Sequence, residues 1–196
     1  RVFDDQAFRP DELKIYPMMV TDKSELTEIW RNGWFKAYND ETLINLTAKL
    51  ESMVPEYIRL NRTYRDIPAS EILEWSHLAN LRQIVEDKLK AEGIKMVDIR
   101  HREIKFGKND PKKAILNDFK YEASDWIEHF LTFEDKEDRT IFLLLRLRLP
   151  SENKEVLEVL PELKWAALIR EIHTFGDQLS IWEAWSTFGQ HIGLWR

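Results

Sequence analysis

The fold is decided by one alternating stretch, Tyr57-Ile58-Arg59-Leu60-Asn61-Arg62-Thr63-Tyr64. Ile58 and Leu60 fall on one face of an extended chain, and Arg59 and Asn61 fall on the other. This period of two is typical of a β-strand that packs one face against a core. The stretch therefore predicts a strand whose polar face carries Arg59 and Asn61.

Helical patterns stand on both sides of this strand, and alternation of strands with helices indicates an α/β fold. The apolar positions and stop signals predict helices at Glu25 to Asn32, Asp40 to Ser52, Ala69 to Glu74 and Leu81 to Leu89. Further strands are expected at Lys14 to Val20, Val97 to Ile104, Ile115 to Tyr121, Phe130 to Glu134, Ile141 to Leu149 and Ala166 to Phe175. A polar linker, Gly107 to Lys113, predicts a domain boundary, and acidic Ser151 to Glu158 predicts a loop.

Composition limits the classes of protein. The chain has 196 residues, of which 43% are apolar, so it can bury a core. No apolar run reaches the roughly 18 residues of a membrane span. The absence of cysteine excludes disulfides, zinc thiolates and an Fe–S cluster held by this chain. The chain begins at Arg1 without an initiator Met, and we interpret it as an internal piece of a longer, cytoplasmic protein.

Charge is unevenly distributed. The net charge is −6, but residues 58–113 carry 13 lysines and arginines against 9 acids. A basic middle between acidic flanks is one form that a polyanion-binding surface takes, and an ordinary solvated surface is the alternative.

Three arginine-containing strings lie in this basic middle: Arg65-Asp66-Ile67-Pro68-Ala69, Asn80-Leu81-Arg82-Gln83 and Ile99-Arg100-His101-Arg102-Glu103-Ile104. Their order and spacing resemble the family of the catalytic subunit of the Elongator complex. The resemblance spans nearly the whole chain. It implies the C-terminal end of a radical-SAM α/β barrel over residues 1–57, a basic connecting region over 58–108, and an incomplete GNAT-like acetyltransferase domain over 114–196.

By this resemblance the parent protein would be an enzyme that adds a carboxymethyl-type group to the wobble uridine of tRNA. It would use acetyl-CoA, S-adenosylmethionine and a 4Fe–4S cluster whose ligands are not in this chain. The fragment alone would be inactive. We expect seven residues to contact tRNA phosphates, with structural ion pairs as the alternative for each arginine: Arg59, Arg62, Arg65, Arg82, Arg100, Arg102 and Lys105.

Residues 114–196 are similar to the acetyltransferase domain of the same family. The strings that carry this likeness include Ile169-Arg170-Glu171-Ile172-His173 and Gln190-His191-Ile192-Gly193. The resemblance implies that acetyl-CoA is bound by Glu171, Ile172, His173, Thr174, Gln190, His191, Ile192 and Gly193. The catalytic base stays unassigned, because a packing role is the alternative for both histidines.

Tryptophan outnumbers glycine, eight to six. The resembled family has glycine where this chain has Trp75, Trp126, Trp165 and Trp195. Either the source organism reads UGA as glycine, or this is a divergent paralogue whose tryptophans pack normally. A tryptophan at position 195 would also fill space that the acetyl-CoA pyrophosphate needs.

Two other functions stay open. A degenerate relative would bind RNA without catalysis, and Met96, Trp126 and Trp195 favour it. Met96 and His101 stand where the family has cysteines, and they make no zinc site. A plain interaction domain would use exposed tryptophans as a partner surface. The expected partners are tRNA and acetyl-CoA, and no membrane is expected. A homodimer and a complex with other subunits are both possible assemblies.

Overall fold

The computed structural model describes residues 1–64, 67–75, 78, 80–105, 110–149 and 154–176. The chain divides into two compact units. One comprises residues 11–98, and the other comprises residues 1–10 together with 99–196. This division falls near residue 98, and the three segments expected from the sequence stay a prediction. Both helices and strands occur, so the fold is of the mixed α and β class.

The unit of residues 11–98 contains short strands and three helices among its described residues. They are β1 (Glu12–Lys14), β2 (Val20–Thr21), α1 (Glu25–Arg31), α2 (Asp40–Ser52), β3 (Arg59–Arg62), β4 (Ile72–Glu74) and α3 (Leu81–Ala91). β1 pairs with β3 in parallel, and β2 pairs with β4 antiparallel.

The core of this unit lies between α2 and α3. Leu43 and Ala48 of α2 are buried with Leu81, Val85 and Leu89 of α3. The three α3 residues recur at spacings of four, which places them on one face of the helix. Gly93 follows α3 with a φ of +72°, a conformation that glycine adopts without steric cost.

The second unit is built on a four-stranded antiparallel sheet in the order β5–β6–β7–β8. Its described elements are α4 (Ile99–Arg102), β5 (Ala114–Ala123), β6 (Trp126–Asp135), β7 (Ile141–Leu149), α5 (Lys154–Val159) and β8 (Leu168–Thr174). Ser124 and Asp125 join β5 to β6 with φ angles of 51° and 64°, as a two-residue hairpin turn requires.

One face of this sheet carries buried charges. Glu128 of β6 is 1% exposed, and its carboxylate accepts hydrogen bonds from Arg148 of β7 and, at 2.9 Å, from Arg170 of β8. Arg146 of β7 is also buried, and its Nε donates to Glu171 of β8 at 2.7 Å. Paired in this way, buried charges avoid most of the penalty of leaving water.

Several predicted elements differ from the structure. Lys14 to Val20 is not one strand, because the strands stop at Lys14 and resume at Val20. Ala69 to Glu71 forms only a 3₁₀ turn before β4. Within residues 97–104, Ile99–Arg102 forms helix α4 rather than part of a strand, and Lys154–Val159 is helical rather than a loop. Each of these segments is short, so its local pattern is a weak signal that packing can override.

The tryptophans behave differently from one another. Trp126 is buried, and Trp75 packs against the α2–α3 core, which agrees with ordinary packing at these two positions. Trp165 is 84% exposed and has a φ of +71°, a conformation that glycine adopts easily. Trp195 lies outside the described residues.

Candidate nucleic-acid interface

The described part of the expected tRNA-binding surface centres on β3. Leu60 is fully buried, so the strand is held against the core of its unit. Arg59 is half-buried, and its backbone N–H donates to Asp11 O at 2.9 Å. Arg62, at the end of the strand, is exposed. Arg62 is therefore more accessible to a ligand than Arg59.

Lys14 is a further cation at this place that the sequence did not reveal. The parallel pairing of β1 with β3 makes Lys14 the register partner of Arg62, and both residues are exposed. The pairing therefore brings two positively charged residues to one place on the sheet. No local pattern joins residue 14 to residue 62, so only the strand pairing brings this pair together.

Arg82 lies in the first turn of α3, beside the same strand. Its Nε donates to Glu86 at 3.0 Å, and its Nη2 reaches Leu60 O at 3.5 Å. The side chain is 29% exposed, so part of the guanidinium faces solvent. Arg82 therefore joins Arg59, Arg62 and Lys14 around β3. Arg65 lies outside the described residues.

The remaining expected tRNA contacts belong to the second unit. Arg100 donates to Glu103 at 2.6 Å and stays partly exposed, and Lys105 is exposed just after α4. Arg102 is different, because its side chain is 3% exposed and its Nη1 lies 2.8 Å from Glu134 Oε2. Arg102 is a structural ion pair in this conformation, and we remove it from the interface.

The described residues of the expected acetyl-CoA site all lie on or at the end of β8. Glu171 is bonded to Arg146, and Thr174 is buried, so both side chains serve the sheet. Ile172 and His173 are exposed, and the His173 ring packs on Phe175 at 4.4 Å between centroids. Gln190, His191, Ile192 and Gly193 lie outside the described residues.

Within the part of the chain that the structure describes, no cluster of three histidine or acidic side chains is suited to a metal ion. Across the same residues, no helix combines the length and apolarity needed to cross a bilayer.

Known proteins resemble this chain along its whole length. Residues 10–91 match the family described as Radical_SAM C-terminal domain. The chain is 38% identical to a tRNA uridine(34) acetyltransferase of Dehalococcoides mccartyi, over 100% of the chain and 42% of that protein. It is 36% identical to Elongator complex protein 3 of Dictyostelium discoideum, over 97% of the chain and 34% of that protein.

A solved structure agrees with these sequences. The archaeal Elp3 of Methanocaldococcus infernus, with residues 1–46 deleted, superposes with a TM-score of 0.78 and 34% identity. The match covers 92% of this chain and 43% of that one. The chain thus spans roughly a third to two fifths of the length of the relatives described here.

Proposed function

The chain belongs to the family of Elongator complex protein 3, and on that premise we propose that it is part of an enzyme that modifies the wobble uridine of tRNA. The parent enzyme would add a carboxymethyl-type group. The support for this reading is that relatives 34 to 38% identical over at least 90% of the chain are named tRNA uridine(34) acetyltransferase. The 196 residues alone would not complete the reaction.

The observation that carries the proposal is the group of cations around β3. Lys14, Arg59, Arg62 and Arg82 come from β1, β3 and α3 of one compact unit. Ordered elements hold their backbones in place, as a site that positions an RNA backbone requires. Such contacts go to phosphates and orient the RNA, and they contribute little choice of sequence. This unit would therefore hold tRNA while another part of the enzyme selects the uridine.

The second unit would contribute to acetyl-CoA binding through β8. Among the described residues β8 pairs with one strand, β7, so its other edge offers backbone groups to an extended ligand. The side chains of β8 fit an acetyl-CoA site only in part, since Glu171 is already bonded to Arg146. Acetyl-CoA would supply the acyl group. Gln190, His191, Ile192 and Gly193 would complete the site, within a GNAT-like domain.

No residue of this chain suits the iron–sulfur cluster, because the chain has no cysteine. Its ligands, and the S-adenosylmethionine that binds to it, would be held elsewhere in the parent protein. Other subunits of a complex, or a second copy of this chain, would be further partners of the parent protein. The parent protein would act in the cytoplasm.

The test is tRNA binding across a series of KCl concentrations. Lys14→Ala/Arg62→Ala removes the two register partners on β1 and β3. The loss of two phosphate contacts should make the negative slope of log affinity against log salt shallower by roughly 1.4 to 1.8. Lys49→Ala/Lys90→Ala, which removes two exposed lysines of α2 and α3, is the matched control and should leave the slope unchanged. Equal slopes for both variants would contradict the proposal.

A further inference from the structure

A cavity of about 490 Å³ opens in the unit of residues 11–98. Its size falls within the ~300–1,000 Å³ of ligand pockets. The segment between α1 and α2 provides Lys36 and Tyr38, and the first turn of α2 provides Asp40 and Glu41. Glu74, the last residue of β4, and Trp75 complete the wall.

Glu74 and Trp75 each contain an unsatisfied atom. Glu74 Oε2 and Trp75 Nε1 are buried and have no hydrogen-bond partner in the described structure. A carboxylate whose oxygen is buried without a donor is costly, and native proteins satisfy such groups. Glu74 as a whole is partly exposed and lines the cavity, so a ligand that places a positive charge beside its accessible part would compensate the charge of the carboxylate.

The charge of the wall agrees with such a ligand. Asp40, Glu41 and Glu74 stand against Lys36, three carboxylates against one ammonium, which gives a net charge of −2. Acids in the first turn of a helix are common for structural reasons, because they complement the helix dipole. A helix dipole does not explain the carboxylate of Glu74, because Glu74 belongs to a strand.

The aromatic residues narrow the class of ligand. Tyr38 is 56% exposed, and Trp75 is held by the α2–α3 core and by Tyr64, whose ring centroid is 6.1 Å away. A planar cation can stack on an aromatic ring and also donate hydrogen bonds to a carboxylate. Guanidinium has both properties, whereas ammonium is a compact point charge.

We propose that this cavity binds an arginine side chain from a basic segment of a partner protein. The guanidinium pairs with Glu74 and lies against Tyr38 or Trp75, and Asp40 and Glu41 add attraction at the rim. An RNA ligand fits this wall less well, because three carboxylates repel a phosphate. Among the described residues, none of the cations around β3 lines the cavity, and the proposal does not depend on tRNA binding.

The test titrates the 196-residue chain with the capped peptide acetyl-Gly-Gly-Arg-Gly-Gly-amide. A matched peptide has citrulline in place of arginine, which keeps the shape and removes the charge. The readout is the indole N–H resonance of Trp75 in a ¹⁵N spectrum, assigned by its loss in Trp75→Phe. We expect a saturable shift with the arginine peptide and at least tenfold weaker binding of the citrulline peptide.

Two variants should change the affinity for the arginine peptide in opposite directions. Glu74→Gln should weaken binding of the arginine peptide about tenfold or more, since it removes the charge of the carboxylate. Lys36→Ala should strengthen it, because a cation leaves the wall. Glu25→Gln changes an exposed acid of α1 outside the cavity and is the control, expected to bind as the wild type does.

Three results would overturn the proposal. The first is equal binding of the arginine and citrulline peptides by the wild-type chain, a comparison that does not depend on the folding of any variant. A shift of Trp75 with guanosine monophosphate but not with the arginine peptide would assign the cavity to a nucleotide, as would weaker binding in Lys36→Ala. Binding of free arginine without the capped peptide would assign it to a small molecule.

Discussion

Replacing Arg102 separates a structural role from an RNA-binding role. The guanidinium lies 2.8 Å from Glu134 Oε2, and the two side chains are 3% and 6% exposed. Removing one partner of a buried ion pair costs about 3–5 kcal/mol, since the other charge stays buried. Glu134 also accepts from Arg139 at 3.0 Å and from Thr132 at 3.2 Å. Arg102→Met should therefore lower the free energy of unfolding by about 3 kcal/mol, near the low end of that range.

Urea unfolding followed by tryptophan fluorescence measures this loss. Arg31→Met is the control, because Arg31 and Glu28 form an exposed pair at 3.0 Å that should contribute less than about 1 kcal/mol. Arg102→Met/Glu134→Leu leaves neither charge of the pair buried and should be less destabilised than Arg102→Met alone. A loss below about 1 kcal/mol for Arg102→Met would refute the reasoning. So would weaker tRNA binding by a variant of unchanged stability.

Three further changes probe other places in the fold. Trp165→Gly should raise the thermal midpoint, because a φ of +71° costs a non-glycine residue about 1 kcal/mol; a fall would contradict this. Thr63→Val should lower the free energy of unfolding by about 1–3 kcal/mol, because the Thr63 hydroxyl donates to buried Glu51 at 2.6 Å. Thr63→Ser keeps the hydroxyl and should lose less stability in the same urea titration. Asn39→Ala should cost about 1 kcal/mol in thermal melts, because Asn39 Oδ1 accepts from Thr42 N at 2.8 Å and caps α2; no loss would show that the cap is redundant.

Local patterns predicted the elements whose stabilising contacts lie within them. The bounds of α2 agree with the prediction, because Asn39 caps the helix and its apolar residues recur with the helical period. The four strands of the second unit were also expected, since each is long and apolar on at least one face.

The segment of residues 97–104 shows why other predictions failed. It was expected to be a strand, but α4 forms there and buries Ile99 and Arg102, three positions apart. Arg102 is held by Glu134, a residue 32 positions away. The same limit applies to the interface, because Lys14 meets Arg62 only through strand pairing. The sequence identifies the residue types at these positions, but the tertiary structure determines which residues are their neighbours.

The carboxylate of Glu128 joins three strands, since it belongs to β6 and binds Arg148 of β7 and Arg170 of β8. Successive residues of a strand point to opposite faces, so a slip of β7 by one position would put Leu147 or Leu149 opposite Glu128. The misaligned sheet would then bury a carboxylate against leucine. Glu128 thus disfavours a slip of β7 by one residue in either direction, so a charge fixes the register of strands that are otherwise rich in leucine.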